Sequence, residues 1–167
     1  MQTQPTVILS HTEINHKIRR IALQILETNI HEDEIILAGI ANNGYIIAEQ
    51  LQDVIASYSD ISTTLCKVSI DKKNLLSPVE VSISSSEYSN KSVILVDDVL
   101  NSGATLIYAI KHFLDTPLIR LKTAVLVNRN HKKFPVKADF KGLSLSTSIN
   151  EHVEVIFNQE ETKAVLI

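Results

Sequence analysis

Apolar residues first recur at helical spacing and then gather into short unbroken runs of strand length. Ile14, Ile18, Ile21, Ala22, Ile25 and Leu26 fall on one helical face, with Lys17, Arg19, Arg20 and Glu27 mostly on the other. Ser10 with Glu13 three residues later predicts a capping box at the start of that helix. After the polar break His31-Glu-Asp33, the run Ile35–Ile40 has the length of a buried strand. A tight turn, Ala41-Asn-Asn-Gly44, then leads into a second amphipathic helix carrying Ile46, Ile47, Ala48, Leu51, Val54 and Ile55. Strands are expected at Thr63–Ile70 and Val79–Ser84, flanking a polar connector, 71–78, that contains the breaker Pro78. The Ser-rich stretch 84–91 reads as a loop, Ser92–Asp97 as a strand, Thr105–Leu114 as a helix and Leu121–Val127 as a further strand. Beyond it the pattern is irregular, with short strands around Phe140, Val153–Phe157 and Ala164–Ile167. Apolar strands alternating with helices imply an α/β fold, a twisted parallel sheet flanked by helices on both faces. With no repeat and no low-complexity linker, one domain over residues 1–167 is expected, ending in a small irregular region of about 128–167.

Composition narrows this picture. Hydrophobic residues are 44% and charged residues 21% of 167, as in soluble globular proteins, and this length can bury a real core. Aromatics are 5% with no Trp, so that core must be mainly aliphatic. A net charge of -3 argues against a broadly basic nucleic-acid-binding face and leaves only a local patch open. The single cysteine, Cys66, rules out an internal disulfide framework, and its apolar surroundings read as a buried structural thiol. Met1–Thr6 has no basic segment followed by an apolar one, and no apolar run approaches the roughly 20 residues of a membrane span. A cytoplasmic protein without membrane contact is expected. The six histidines lack the close spacing of a zinc site.

The candidate chemistry sits in Val93-Ile-Leu-Val-Asp-Asp-Val-Leu-Asn-Ser-Gly-Ala-Thr105. Four apolar residues lead to adjacent carboxylates, Asp97 and Asp98, at what should be the carboxyl end of a parallel strand, where ligands of open sheets bind. Asn101, Ser102, Gly103, Ala104 and Thr105 follow as a small polar turn at a helix start. Its backbone N–H groups, the Ser102 and Thr105 hydroxyls and the helix dipole suit a monophosphate. Gly103 permits backbone geometry that a side chain would hinder. An acid pair beside a phosphate cradle matches a small phosphorylated polyol, its hydroxyls donating to the carboxylates. The plainer alternative, solvated strand-end acids and an ordinary helix cap, leaves the joint pattern unexplained. A Walker-type loop is unsupported, since the turn lacks that motif's lysine.

The stretch resembles the phosphoribosyl diphosphate (PRPP) signature of the type I phosphoribosyltransferases, and the order of elements agrees over nearly the whole chain. Val93–Leu100, Ala124-Val-Leu-Val-Asn-Arg-Asn-His131, Phe134–Gly142 and Ser146-Thr-Ser148 are similar to the PyrR type, the bifunctional pyrimidine-operon attenuators and uracil phosphoribosyltransferases. The resemblance implies transfer of 5-phosphoribosyl from PRPP to a nucleobase, uracil first, releasing pyrophosphate. It assigns the ribose hydroxyls to Asp97 and Asp98, the 5′-phosphate to Asn101–Thr105 and the pyrophosphate to the loop Ala41, Asn42, Asn43 and Gly44, a turn that often carries a non-proline cis peptide. Asn128, Arg129, Asp139 and Phe140 would belong to the hood over the base. Mg²⁺ would arrive with PRPP near Asp97 and Asp98, held mostly by substrate oxygens. Relatives imply a homodimer or higher homo-oligomer.

Departures from that family pattern are specific. The Lys-Thr-Arg-Gly turn is here Ala41-Asn-Asn-Gly44, without either cation, and Ala104 stands where the phosphate loop commonly has arginine. The mobile loop is shortened to 71–77, with Lys72 and Lys73 as partial substitutes. Asn128 stands where the PyrR type has aspartate and purine enzymes lysine. These differences keep two alternatives in view: a catalytically weak PRPP- or nucleotide-sensing regulator of the RNA-binding attenuator type, and a purine phosphoribosyltransferase. Arg129, His131, Lys132 and Lys133 form a basic turn, either solvated or an anion or RNA contact.

Overall fold

A computed structural model describes residues 4–158 and 160–167; Met1–Thr3, within the segment read for a leader, and Gln159, within the expected hood, lie outside the described residues. The chain runs β1 (Thr6–Leu9), α1 (His11–Thr28), β2 (Glu34–Ile40), α2 (Ala41–Tyr58), β3 (Ser62–Ser69), β4 (Glu80–Val81) and α3 (Ser85–Tyr88). It continues through β5 (Ser92–Leu100), α4 (Ala104–Phe113), β6 (Arg120–Arg129), β7 (Phe140–Leu145), β8 (Val153–Phe157) and β9 (Thr162–Leu166).

The expected capping box opens α1: Ser10 N donates to Glu13 Oε2 at 2.8 Å and Glu13 N donates to Ser10 Oγ at 3.3 Å. Ile14, Ile18, Ile21, Ala22 and Ile25 are its buried face. The helix ends at Asn29, a buried amide whose Oδ1 accepts from Ser92 Oγ at 2.6 Å and Arg120 Nη1 at 3.0 Å. One polar side chain therefore ties the end of α1 to the starts of β5 and β6. The Ser-rich loop hides a second capping box, Ser84 with Glu87, which winds the single turn α3 and buries Tyr88 edge-on to Phe113.

Six strands form the main sheet in the order β4-β3-β2-β5-β6-β7, all parallel except β4. Helices α1 and α2 cover one face and α4 the other, so the central strands read as continuous apolar runs and Val93–Val96 are fully buried. This is the α/β architecture expected. The second sheet is β1-β9-β8, antiparallel; it takes two strands from the C-terminal region and one, β1, from the N-terminal segment. Within the region 128–167, read above as irregular, residues 128–129 finish β6 and residues 140–145 form the edge strand β7. The sequence pattern showed no first strand because β1 is four residues long and mostly exposed. Leu9, Val153, Val155 and Ala164 join Ile18, Ile47 and Leu126 in one cluster, so the two sheets share a core. No helix of the described residues is long and apolar enough to cross a membrane.

Candidate functional site

The direction of the crossovers locates the site. From β2 the chain passes through α2 to β3 on one side, and from β5 through α4 to β6 on the other. The crevice beyond the carboxyl ends of β2 and β5 is therefore a topological switch point, where ligands of open α/β sheets bind. The acid pair stands on its rim. It does not end the strand as expected: β5 pairs with β6 as far as Leu100↔Asn128, whereas its pairing with β2 stops at Val96. Residues 97–100 thus have β6 on one side and the crevice on the other.

Asp97 is only 4% exposed, and its Oδ1 accepts the Asp98 backbone N–H at 2.9 Å. Burial, and then the neighbouring Asp98 charge, hold the Asp97 carboxyl well above the ordinary carboxylate range; the Lys72 charge pulls the other way. Asp98 is half-buried, its Oδ1 accepting from Val99 N at 2.8 Å and its Oδ2 from Asn43 Nδ2 at 2.8 Å. The same Asn43 amide donates to the Val155 carbonyl on β8 at 3.1 Å. Asn43 therefore fixes one carboxylate of the main sheet against the second sheet.

Beyond the pair the chain makes the predicted phosphate-type turn. Gly103 has φ +84°, the left-handed region, and a Cβ there would collide with Val136 Cγ1. Gly103 gives α4 no side-chain cap; Ala104 N donates to Ser102 Oγ at 3.2 Å, and the N–H groups that follow it in the first turn stay available to an anion. Ser102 O accepts from Lys133 N at 2.8 Å and Phe134 N at 3.1 Å, which braces the turn from behind. A cavity of about 170 Å³ is lined by Lys72, Asp97 and residues 99–106. Asp97, the turn 101–105 and Lys72 are thus brought together.

The stretch Ala41–Gly44, expected as a free turn, is instead the first turn of α2. Its unusual geometry is concentrated at Ala41, with φ +51°, and no cis peptide occurs among the described residues. Gly44 presses against β5 so closely that a Cβ would lie 2.5 Å from the Val96 carbonyl. The cations missing from this stretch arrive from elsewhere. Lys67 on β3 donates from Nζ to Asn42 Oδ1 at 3.2 Å, and Lys72 reaches the cavity from the 71–77 connector. Sequence reading missed Lys67, whose strand-end position becomes informative only once β3 is known to lie beside β2.

The four residues assigned to the hood separate into two groups. Asn128 ends β6 opposite Leu100; its Nδ2 donates weakly to Ser144 Oγ at 3.4 Å and its buried Oδ1 has no partner. Arg129 is buried rather than solvated, and is bound through Asn101 to the phosphate turn. Asp139 and Phe140 do not reach the crevice, which corrects the assignment. Ala124 pairs with both Val96 and Phe140, so Phe140 lies level with Val96 at the inner part of the sheet. Asp139 there accepts from Thr123 N at 3.0 Å and pairs with Lys122 and Lys137 at 3.8 and 3.7 Å. Of the basic turn, His131 bonds the Thr147 carbonyl at 2.6 Å, while Lys132 and Lys133 are exposed.

Residues 6–160 match the family described as Phosphoribosyl transferase domain. Curated relatives include the Bifunctional protein PyrR of Haemophilus ducreyi, 36% identical over 89% of this chain and 88% of that protein. The protein of the same name from Fusobacterium nucleatum is 29% identical over 100% of this chain and 99% of its own length. Among solved structures, a hypoxanthine phosphoribosyltransferase from Trypanosoma cruzi in complex with its product IMP superposes with a TM-score of 0.78 at 15% identity, covering 98% and 90% of the two chains. A hypoxanthine-guanine phosphoribosyltransferase from Bacillus anthracis gives 0.73 at 21% identity, covering 89% and 86%. Those two likenesses are of fold.

Proposed function

Because this chain belongs to the phosphoribosyl transferase domain family, we propose that it transfers 5-phosphoribosyl from PRPP to a nucleobase, uracil first, giving UMP and pyrophosphate. One observation carries the reading: Asp97 lines the same small cavity as the phosphate-type turn 101–105. A sugar phosphate held there by its 5′-phosphate has its ring hydroxyls beside the acid pair. In this reading Asn101–Thr105 take the 5′-phosphate, and the first turn of α2, Ala41–Gly44, takes the pyrophosphate with Lys67 and Lys72 as the nearby cations. Asp97 and Asp98 accept from ribose hydroxyls, and their negative potential favours positive charge developing at the anomeric carbon. Asn43, by holding Asp98 Oδ2, fixes the direction of that potential. Asn128 Oδ1, buried without a donor, suits an N–H of the base.

Magnesium is implied by the family. Three of the four oxygens of the pair accept protein N–H groups, leaving Asp97 Oδ2 without a protein donor among the described residues. No cluster of three His, Cys, Asp or Glu suited to a metal occurs among them. That donor set fits a cation that brings most of its ligands on substrate and water oxygens, with Asp97 and Asp98 as the protein's share. Held there, such a cation would supply positive charge to offset that of the diphosphate. The same reading makes the chain a single cytoplasmic domain acting as a homo-oligomer.

A second reading rests on the winding of Ala41–Gly44 into α2 without a cation of its own: a PRPP- or nucleotide-sensing regulator with little turnover. One experiment separates the two. The protein is incubated with PRPP, Mg²⁺ and uracil, hypoxanthine, guanine or xanthine, and nucleotide is quantified. UMP formation that Asp98→Asn abolishes supports the transferase; product with purines alone replaces uracil; binding without product supports the regulator.

A further inference from the structure

Arg129 is 5% exposed, yet no carboxylate stands within ion-pair distance of it among the described residues. All its acceptors are neutral. Nε and Nη2 donate to Thr147 Oγ1 at 3.0 and 2.8 Å, and Nη2 also donates to the carbonyls of Glu151 at 2.5 Å and Ser148 at 3.4 Å. Glu151 turns its carboxylate to Ser148 N, at 2.6 Å, instead. The Glu151 charge acts on the guanidinium only from beyond ion-pair distance. A buried charge so incompletely paired is costly, and proteins retain one where something else completes it.

The remaining bond indicates what does. Arg129 Nη1 donates to Asn101 Oδ1 at 2.9 Å, and Asn101 lines the cavity of the phosphate-type turn. Guanidinium has no acceptor, so it fixes which end of the Asn101 amide faces it. The oxygen is committed to Arg129, and the NH₂ group, with no protein partner among the described residues, is left as a donor. Arg129 thereby makes Asn101 a hydrogen-bond donor in the wall of an anion cavity and adds a full positive charge one residue behind it.

Resting on the phosphoribosyl reading of this cavity, we infer that Arg129 is the positioning residue of the 5′-phosphate turn: it orients Asn101, supplies the charge that the phosphate dianion completes, and ties the turn to the 147–151 segment leading into β8. Arg129 does not touch the base in this assignment. Its role is selective for the phosphate end of the substrate, since the pyrophosphate stretch 41–44 shares none of its bonds.

The test titrates ribose 5-phosphate and, separately, pyrophosphate into the full chain by calorimetry, in the wild type, Thr147→Asp and Arg129→Met. Thr147→Asp sets a carboxylate where two guanidinium N–H groups now meet a hydroxyl, cancelling the charge while keeping Arg129 in place. Ribose 5-phosphate affinity should fall roughly tenfold in both variants, the scale of one nearby charge in a partly buried site. Pyrophosphate affinity should move less than about twofold, and Thr147→Asp should melt no lower than the wild type. A purely structural role makes affinity follow stability. Wild-type affinity for ribose 5-phosphate in Thr147→Asp, or equal weakening of both ligands, overturns the inference. If Arg129→Met does not fold, Thr147→Asp decides alone. Failure of the wild type to bind ribose 5-phosphate overturns the reading of the cavity itself, and this assignment with it.

Discussion

Asp97 combines burial, a like-charged neighbour and a place in the cavity wall, and these pull stability and function apart. Its carboxyl is raised by desolvation first and by Asp98 second. A carboxyl whose pKa is higher in the fold than in the unfolded chain binds its proton more tightly when folded. It contributes nothing below its ordinary value of 3.8 and destabilises progressively as pH rises from there through the raised folded value. Asp97→Asn keeps an oxygen for the Asp98 N–H and removes the charge. At pH 7–8 it should therefore melt higher, on the order of 5 °C, while losing nucleotide formation by at least about 100-fold; calorimetric scans and product assays check the two signs. Cys66 is a contrasting case, its thiol pushed up to about 12 by burial and then by the Glu87 charge. It should resist maleimide labelling in the native protein at pH 8 and label fully in denaturant. At this scale legibility followed locality. Asp97, Asp98 and residues 101–105 form one stretch of sequence and were readable as a candidate site. Asn43 against Asp98, Lys67 against Asn42 and Arg129 against Asn101 join residues 25 to 55 positions apart, and only folding brings them together.

Elements were readable where burial was continuous and misread where it was not. The strand Ser92–Asp97 was expected from four consecutive apolar residues, but β5 runs on to Leu100 because β6 continues to pair with it. The acids therefore lie within a strand, held by a ladder on one side, rather than on a mobile end. The turn expected at Ala41–Gly44 is helical because Gly44 packs flat on Val96, which lets α2 begin immediately after β2. At the head of α4, by contrast, Gly103 meets two demands at once: a left-handed backbone and the space that Val136 Cγ1 occupies. Gly103→Ala should destabilise the protein by about 1–3 kcal/mol, measured by urea unfolding. It should weaken ribose 5-phosphate more than pyrophosphate, because the strain falls on the phosphate turn and not on α2.

At the scale of the molecule, two sheets meet over one crevice, and the smaller depends on both ends of the chain. The hood was assigned mainly to the C-terminal region because two of its apolar strands, β8 and β9, are visible there, whereas β1 carries little sequence signal. Yet β1 pairs with β9 and contributes Leu9 to the shared core. Without residues 1–9 the second sheet shrinks to the β8–β9 hairpin, and an isolated two-stranded hairpin is marginal in water. Its link to the main sheet would then rest largely on apolar contacts of Val153, Val155 and Ala164 and on the Asn43 bond to the Val155 carbonyl. The stretch 41–44, proposed for the pyrophosphate, begins α2 and Lys67 lies on β3, so apart from the Asn43 bond to the Val155 carbonyl both are carried by the main-sheet elements. Deleting residues 1–9 should therefore separate two kinds of binding. In the full chain a ligand at about 100 times its dissociation constant adds roughly 2.7 kcal/mol, an upshift on the order of 5–10 °C. The truncated protein should melt lower overall and keep the pyrophosphate upshift. It should lose most of the additional upshift that UMP gives over ribose 5-phosphate, since that increment measures the base against the hood. Retention of the full UMP increment would mean that the base is held by the main sheet alone, with Asn128 as its principal contact.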